Sequence, residues 1–235
     1  PAVRGPRCQA DRDVYKKSVQ NALKDIKNIK VISEIVTALK IKKNKCSGVE
    51  LDSGESITAN SVVLTAGTFL NGIIHIGDKK LSAGRLNEKS STKLGSCLKR
   101  LSLPMARLKT GTPPRLLKST INYNVLEEDF GDPTPEFFSS TTNSTDNTQV
   151  SCHVTWTNKE THEIIKQSIS ESPIYNGAIS SRGPRYCPSI EDKVHKFYTK
   201  ERHRIMLEPE GLKSELIYPN GISTSLPLDR QTIMI

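Results

Sequence analysis

Ser61-Val62-Val63-Leu64-Thr65-Ala66-Gly67 is a nearly continuous apolar run that closes on glycine. A strand covered on one face alternates between apolar and polar residues. One covered on both faces loses that alternation, and such strands belong to parallel sheets. Upstream, residues 10–24 have the helical period: Val14, Val19, Leu23 and, one turn later, Ile26 fall on one side and lysines on the other, with Asp11 or Asp13 available to support the N-terminus. Residues 31–36, 38–42, 47–51 and 57–66 then read as strands. The second and third alternate cleanly, with Leu39 and Ile41 against Lys40 and Lys42, then Val49 and Leu51 against Glu50 and Asp52. Lys43-Asn44-Lys45 and Asp52-Ser53-Gly54-Glu55 supply the turns.

This order of helix, strand, β-meander and buried strand is that of the later part of a flavoprotein dinucleotide-binding domain. There, glycine at the carboxyl end of the sheet lets the backbone approach a cofactor. The glycine-rich fingerprint loop that would open such a domain is absent. The chain begins with Pro1 rather than Met and ends in an apolar stretch, so it reads as an internal fragment of a longer protein.

A formal charge of +9 over 235 residues favours a polyanionic partner such as nucleic acid, nucleotide phosphates or an acidic protein. Aromatics are only 5% of the residues, and no aromatic ladder interleaves with the basic ones, so a single-strand stacking groove is not indicated. The five cysteines, Cys8, Cys46, Cys97, Cys152 and Cys187, have no CxxC spacing and are odd in number, which excludes complete internal pairing and points to a reducing compartment. No apolar run is long enough to span a bilayer. His75, His153, His162, His195 and His203 lack metal-ligand spacing, so no metal site is expected. Neither a GxSxG elbow nor a GxxxxGK[ST] loop occurs.

In the second half, residues 91–101 suit a short helix with Leu94, Leu98 and Leu101 inward. Residues 107–115 pack Arg107, Lys109 and Arg115 with two threonines around a Gly/Pro turn, which suits either an anionic ligand or a solvated basic loop. Residues 131–149 are poor in aliphatics and read as a surface loop; residues 152–157 read as a strand, and Asn158 as the N-cap of a helix running to about residue 169.

The densest chemistry lies in Gly183-Pro184-Arg185-Tyr186-Cys187-Pro188-Ser189-Ile190-Glu191-Asp192-Lys193. A thiol sits in sequence beside two cations and two carboxylates, with prolines and glycine restricting the backbone. Positive surroundings raise the thiolate fraction that nucleophilic work requires. The plain alternative is a structural cysteine in a turn.

This segment through Phe197, together with Ala66-Gly67-Thr68-Phe69-Leu70-Asn71-Gly72-Ile73-Ile74-His75-Ile76-Gly77, resembles the two signature stretches of the glucose-inhibited division protein A (MnmG/GidA) family. Further matches are Pro1-Ala2-Val3-Arg4 with Gln9-Ala10-Asp11-Arg12, and residues 107–115, 155–162, 207–212 and 218–227. The resemblance implies an α/β fold: the later part of a Rossmann-like FAD-binding domain with its β-meander at residues 1–107, and an inserted second α/β dinucleotide-binding domain at residues 108–235. The N-terminal glycine-rich loop and the C-terminal helical domain would lie outside the chain. It implies FAD contacts at Val36, Gly67 and Ser91. It implies an NAD(H) segment at Gly183, Pro184, Arg185, Tyr186, Cys187, Pro188, Ser189, Ile190, Glu191, Asp192, Lys193, Val194, His195, Lys196 and Phe197, where Arg185 and Lys193 suit pyrophosphate.

Family members help build the 5-carboxymethylaminomethyl group on the wobble uridine of tRNA. The implied reaction uses FAD, NADH, a methylene-tetrahydrofolate carbon, an amine donor and a partner GTPase in a heterotetramer, with the flavoprotein itself a homodimer in the cytoplasm, or in the mitochondrion if eukaryotic, and no membrane. Cys187 is the candidate covalent nucleophile on carbon 6 of uracil, or else an acid/base; Asp192 or Glu191 is the candidate proton acceptor. Arg107, Lys109 and Arg115 are candidates for folate carboxylates or tRNA phosphate. Two other readings are a folate-dependent tRNA uridine methyltransferase relative and a non-catalytic RNA-binding scaffold.

Overall fold

The computed structural model describes residues 7–67, 69–85, 87–181 and 188–235. The first helix, α1 (Arg12–Lys24), begins where Asp11 accepts the Val14 N–H at 2.8 Å. This satisfies one of the donors that every helix start leaves open. Its apolar stripe is not buried: Val14, Tyr15, Val19 and Leu23 all remain exposed.

Strands β1 (Val36–Lys42), β2 (Lys45–Leu51) and β3 (Ser56–Thr58) form an antiparallel meander. Lys42 pairs with Lys45 across a two-residue turn in which Lys43 and Asn44 both have positive φ, 50° and 60°. That left-handed pair matches the twist of the flanking strands. Gly48 cannot carry a side chain, since φ is 144° and a Cβ would lie 2.0 Å from the Ile57 carbonyl oxygen. Helix α2 (Thr92–Arg100) packs on β1 through Leu94, Cys97 and Leu98, with the Leu39 N–H directed at Cys97 Sγ, 3.5 Å away. Leu101, expected inward, stays 36% exposed beyond the helix end. The hairpin β4 (Ile73–Ile76) and β5 (Lys79–Ser82) turns at Gly77, whose N–H reaches the Ser225 carbonyl at 2.8 Å.

Two expected strands form only at one end: of 31–36 only Val36 joins a strand, and of 57–66 only Ile57 and Thr58, in β3. Residues 31–35 are irregular and exposed, and residues 61–66 lie outside any ladder; Val63 is 85% exposed. An unpaired strand leaves its backbone donors and acceptors to water, and no ladder among the described residues includes this run. The parallel sheet inferred from its composition is therefore not built: every ladder among the described residues is antiparallel, the one parallel contact being the isolated bridge Leu70–Ser91.

The larger sheet runs in the order β6 (Leu116–Leu117), β10 (Leu216–Asn220), β9 (Arg204–Pro209), β8 (Cys152–Trp156), β7 (Glu127–Asp129). Doubly wound dinucleotide-binding folds rest on parallel strands, so this antiparallel sheet departs from them. Ile205 and Leu207 on β9 share one buried face with Ile217 and Pro219 on β10, while Cys152 and Val154 on β8, the latter paired with Met206, are buried on the opposite face. The apolar core of this half gathers Ile205, Leu207 and Ile217 with Ile165 of α3 (Lys159–Gln167), Ile190 and Val194 of α4 (Ile190–Lys196) and Met234 of α5 (Leu228–Met234). Asn158 caps α3 by accepting the Thr161 N–H at 2.8 Å. Residues 131–149 form neither strand nor helix.

Burial decides which apolar residues matter. Ile165→Ala, at a fully buried position, is expected to cost about 2–5 kcal/mol. Val63→Ala, at the exposed run, is expected to stay within about 0.5 kcal/mol; urea unfolding midpoints of the two variants check both values.

Candidate functional site

The start of α4 is fixed by a reciprocal cap. Ser189 Oγ accepts the Asp192 N–H, and Asp192 Oδ2 accepts from Ser189 N–H at 3.3 Å and Oγ at 3.1 Å. The same Oδ2 takes Lys109 Nζ at 3.1 Å, with both side chains nearly out of water, 8% and 12% exposed. Asp192 Oδ1 accepts from Tyr175 OH at 3.1 Å and lies 3.6 Å from Lys196 Nζ. Burial alone would raise the Asp192 carboxyl. The hydrogen bond and charge of Lys109, then Lys196 and Ser189, outweigh it and hold the group below its ordinary range. Burial, followed by the charge and hydrogen bond of Asp192 and the charge of Glu191, pushes the Tyr175 hydroxyl far above its ordinary value.

Glu191, one residue earlier on α4, is fully buried. Its Oε1 accepts from Ser225 N–H and Oγ, each at 3.0 Å, and from Ser172 Oγ at 3.3 Å; Oε2 has no partner. The backbone closes the same knot: Ile190 N–H binds the Ser223 carbonyl at 2.7 Å, and Thr224 N–H the Thr112 carbonyl at 3.4 Å. Lys193 Nζ donates to the Gly221 carbonyl at 2.7 Å. Three stretches far apart in sequence, 109–112, 189–193 and 221–225, thus meet through polar groups. Ser172, Tyr175 and Ser225 belong to this arrangement and were missed from sequence; serines and a tyrosine without a motif give no linear signal.

The three cations of the 107–115 turn do not converge on one ligand position. Lys109 turns inward to Asp192. Arg115 binds Glu210, Thr112 Oγ1 at 3.1 Å and the Pro113 carbonyl at 2.9 Å, and covers the Tyr218 ring at 4.4 Å. Arg107, exposed, donates to the Asn71 carbonyl at 3.1 Å. Of the 183–197 segment, Gly183, Pro184, Arg185, Tyr186 and Cys187 lie outside the described residues. Ile190 and Val194 belong to the core, Pro188 and Phe197 are exposed, and His195, also exposed, meets the Tyr175 ring edge-on at 5.0 Å.

A second feature is a cleft of about 380 Å³ between β1 and α2, lined by Thr37, Thr92, Lys93, Ser96 and Arg100. Val36 and Ser91 each directly precede a lining residue, so the fold brings these two candidates to one rim. Gly67 is not part of the lining; it adopts a left-handed φ of 63°, with the Phe69 ring 4.0 Å from where a Cβ would lie. Among the described residues, no group of His, Cys, Asp and Glu could hold a metal ion, and no helix is long and apolar enough to cross a membrane. The four described cysteines are free; burial, then the Glu208 charge, raises the Cys152 thiol, which lies 3.1 Å from Gln9 Oε1.

The sequence matches the family described as "Glucose inhibited division protein A" over residues 1–235. The chain belongs to this family. Among its relatives, the tRNA uridine 5-carboxymethylaminomethyl modification enzyme MnmG of Sulfurihydrogenibium sp. (strain YO3AOP1) is 49% identical over 234 residues, covering 96% of this chain and 38% of that protein. The enzyme of the same name from Campylobacter fetus subsp. fetus (strain 82-40) is 45% identical over 235 residues, covering 100% and 38%. The structure of Aquifex aeolicus GidA in its form I crystal matches with a TM-score of 0.85 at 43% identity, covering 96% of this chain and 39% of that one. This GidA-family chain therefore has the α/β fold of that structure and spans about two-fifths of the length of its curated relatives.

Two outcomes follow from this geometry. Lys109→Met removes the buried partner of Asp192 and is expected to cost about 3–5 kcal/mol of stability in chemical denaturation. Elsewhere, His162 and His203 stack at 5.4 Å around Thr157, and burial, followed by neighbouring charges, holds both imidazoles below the ordinary 6.5. The unfolded chain binds their protons more readily. Their contribution to stability is therefore complete above pH 6.5 and lost as pH falls toward the lower folded values. Replacing both with glutamine is expected to flatten the fall in denaturation midpoint measured between about pH 7 and pH 5.

Proposed function

We propose that the chain is the central portion of an FAD- and NADH-dependent enzyme that, with a partner GTPase, modifies carbon 5 of the wobble uridine of tRNA. The observation that carries this reading is identity of 45–49%, across nearly the whole chain, to enzymes named for that modification. In this reading residues 1–107 belong to the FAD-binding domain and residues 108–235 to the inserted α/β domain. The protein works as a cytoplasmic homodimer bound to its GTPase, or in a mitochondrion if eukaryotic. The carbon comes from a methylene-tetrahydrofolate.

The cleft at the rim formed by Val36 and Ser91 fits the polar part of FAD. Three hydroxyls and two cations line it, and next to Ser91 the buried Ser90 Oγ has no partner. Bound flavin, reduced by NADH, supplies the hydride chemistry. Cys187 provides the thiolate that adds to carbon 6 of uracil and makes carbon 5 nucleophilic. A general base works best with a pKa near the operating pH. Asp192, held low and engaged by Lys109, Ser189 and Tyr175, suits positioning of the residues after Cys187 better than proton transfer. NAD(H) is assigned to residues 183–197, where the charges of Lys193 and Arg185 suit its pyrophosphate. Arg107, exposed and engaged by one backbone carbonyl, is a better candidate for folate or tRNA anions than Lys109 or Arg115.

The test uses the full-length protein. Mixed anaerobically with NADH, it should lose the oxidised-flavin absorbance, and Cys187→Ser should retain flavin and its bleaching while wobble modification, read by mass spectrometry of tRNA nucleosides, disappears. A protein that holds no flavin, or a Cys187→Ser variant with undiminished modification, would overturn the corresponding part of this proposal.

A further inference from the structure

The connection between α4 and β9 presents an aromatic and basic surface that no step above uses. Residues 195–204 contain no aliphatic side chain, yet Phe197 and Tyr198 stand 53% and 77% exposed. Lys200 Nζ lies 5.8 Å from the Phe197 ring centroid. At the far end of the connection, Arg202 covers the ring of Trp156, the last residue of β8, at 4.4 Å, while the indole keeps 43% of its surface in water. The base of the loop is pinned beside that indole: His203 N–H donates to Thr157 Oγ1 at 2.8 Å, and Thr157 N–H to the His203 carbonyl at 3.0 Å. Lys196, on the last turn of α4, adds a third cation, 64% exposed.

Aromatic rings of this size are ordinarily buried, because each removes a large apolar area from water. A protein-docking patch would mix them with aliphatic residues. Here their neighbours are polar, Thr199 and Glu201 among the cations Lys196, Lys200 and Arg202, and one ring is already stacked under a guanidinium. The linear sequence shows no aromatic ladder, but the fold brings Trp156 under Arg202. This is the chemistry of a single-stranded RNA surface, in which unstacked bases lie on aromatic and guanidinium planes while lysines meet the phosphates.

We propose that Trp156, Tyr198, Lys200 and Arg202, with Phe197 and Lys196 beside them, form a contact surface for an unpaired segment of the RNA substrate. The proposal rests on the tRNA reading above. The α4 helix links this surface to the Lys109–Asp192 pair, since Lys196 faces Asp192. RNA held at the end of the helix is thereby connected to the segment that follows Cys187.

The experiment is fluorescence anisotropy of the full-length, flavin-containing protein with a labelled, unmodified anticodon stem-loop RNA. Tyr198→Ala is expected to weaken binding about tenfold, as loss of one stacked base does, and Tyr198→Phe to restore it. Lys200→Glu is expected to make the dependence of log affinity on log salt shallower by about 0.7, one phosphate contact on a single strand. Flavin content and thermal midpoint serve as controls for folding. If the parent protein binds the RNA and these folded variants bind it with the same affinity and salt slope, the surface is not an RNA contact. The same conclusion follows if the variants lose binding of the partner protein alone. A parent protein that binds no RNA overturns this proposal together with the tRNA reading, while flavin reduction by NADH would still stand.

Discussion

The buried pair of Lys109 and Asp192 is the interaction on which the arrangement of the second half turns. Two charges removed from water are costly unless their remaining bonding capacity is met. Here Ser189, Tyr175 and Lys196 meet it around the carboxylate. Because Asp192 is also the third residue of the α4 cap, the ion pair does more than join two side chains. It sets the 107–115 turn against the helix start, directly after the cysteine-bearing segment. A solvated basic loop in that place would have no defined position.

Around this pair the structure separates into an apolar layer and a polar one. Ile165, Ile190, Val194, Ile205, Leu207 and Ile217 fill the space between sheet and helices. Above them, Glu191 is enclosed by serines, with one oxygen satisfied three times and the other not at all. A carboxylate so placed is a poor choice for stability alone, since an unsatisfied buried oxygen forfeits its hydration. It does hold the 223–225 segment to α4, and through Ser225 that segment reaches the Gly77 turn of the β4–β5 hairpin.

Local chemistry was readable wherever the determining groups are neighbours in the chain. The caps at Asp11 and Asn158, the Lys43-Asn44 turn and the strands on either side of it, and the inward Leu94 and Leu98 of α2 all depend on residues within a few positions. The 61–66 run shows the limit of that reading. Its composition reports that it is suited to burial on both faces, but burial requires neighbouring strands, and the described residues provide none. The extended reading of 31–35 fails in the same way. Apolar pattern measures a tendency to be covered, and a partner decides whether it is.

The candidate site follows the same division. The sequence by itself determined that a thiol, cations and carboxylates cluster in residues 183–193, that the chain is basic, and which family it resembles, because these are properties of residue order. Only the tertiary structure decided which charges remain available. Lys109 and Arg115 look equivalent in the chain, yet burial commits one to Asp192 and side-chain stacking commits the other to Tyr218 and Glu210. Arg202 meets Trp156 because two strands far apart in sequence lie side by side. Electrostatic energy depends on distance and on solvent access, and the fold sets both.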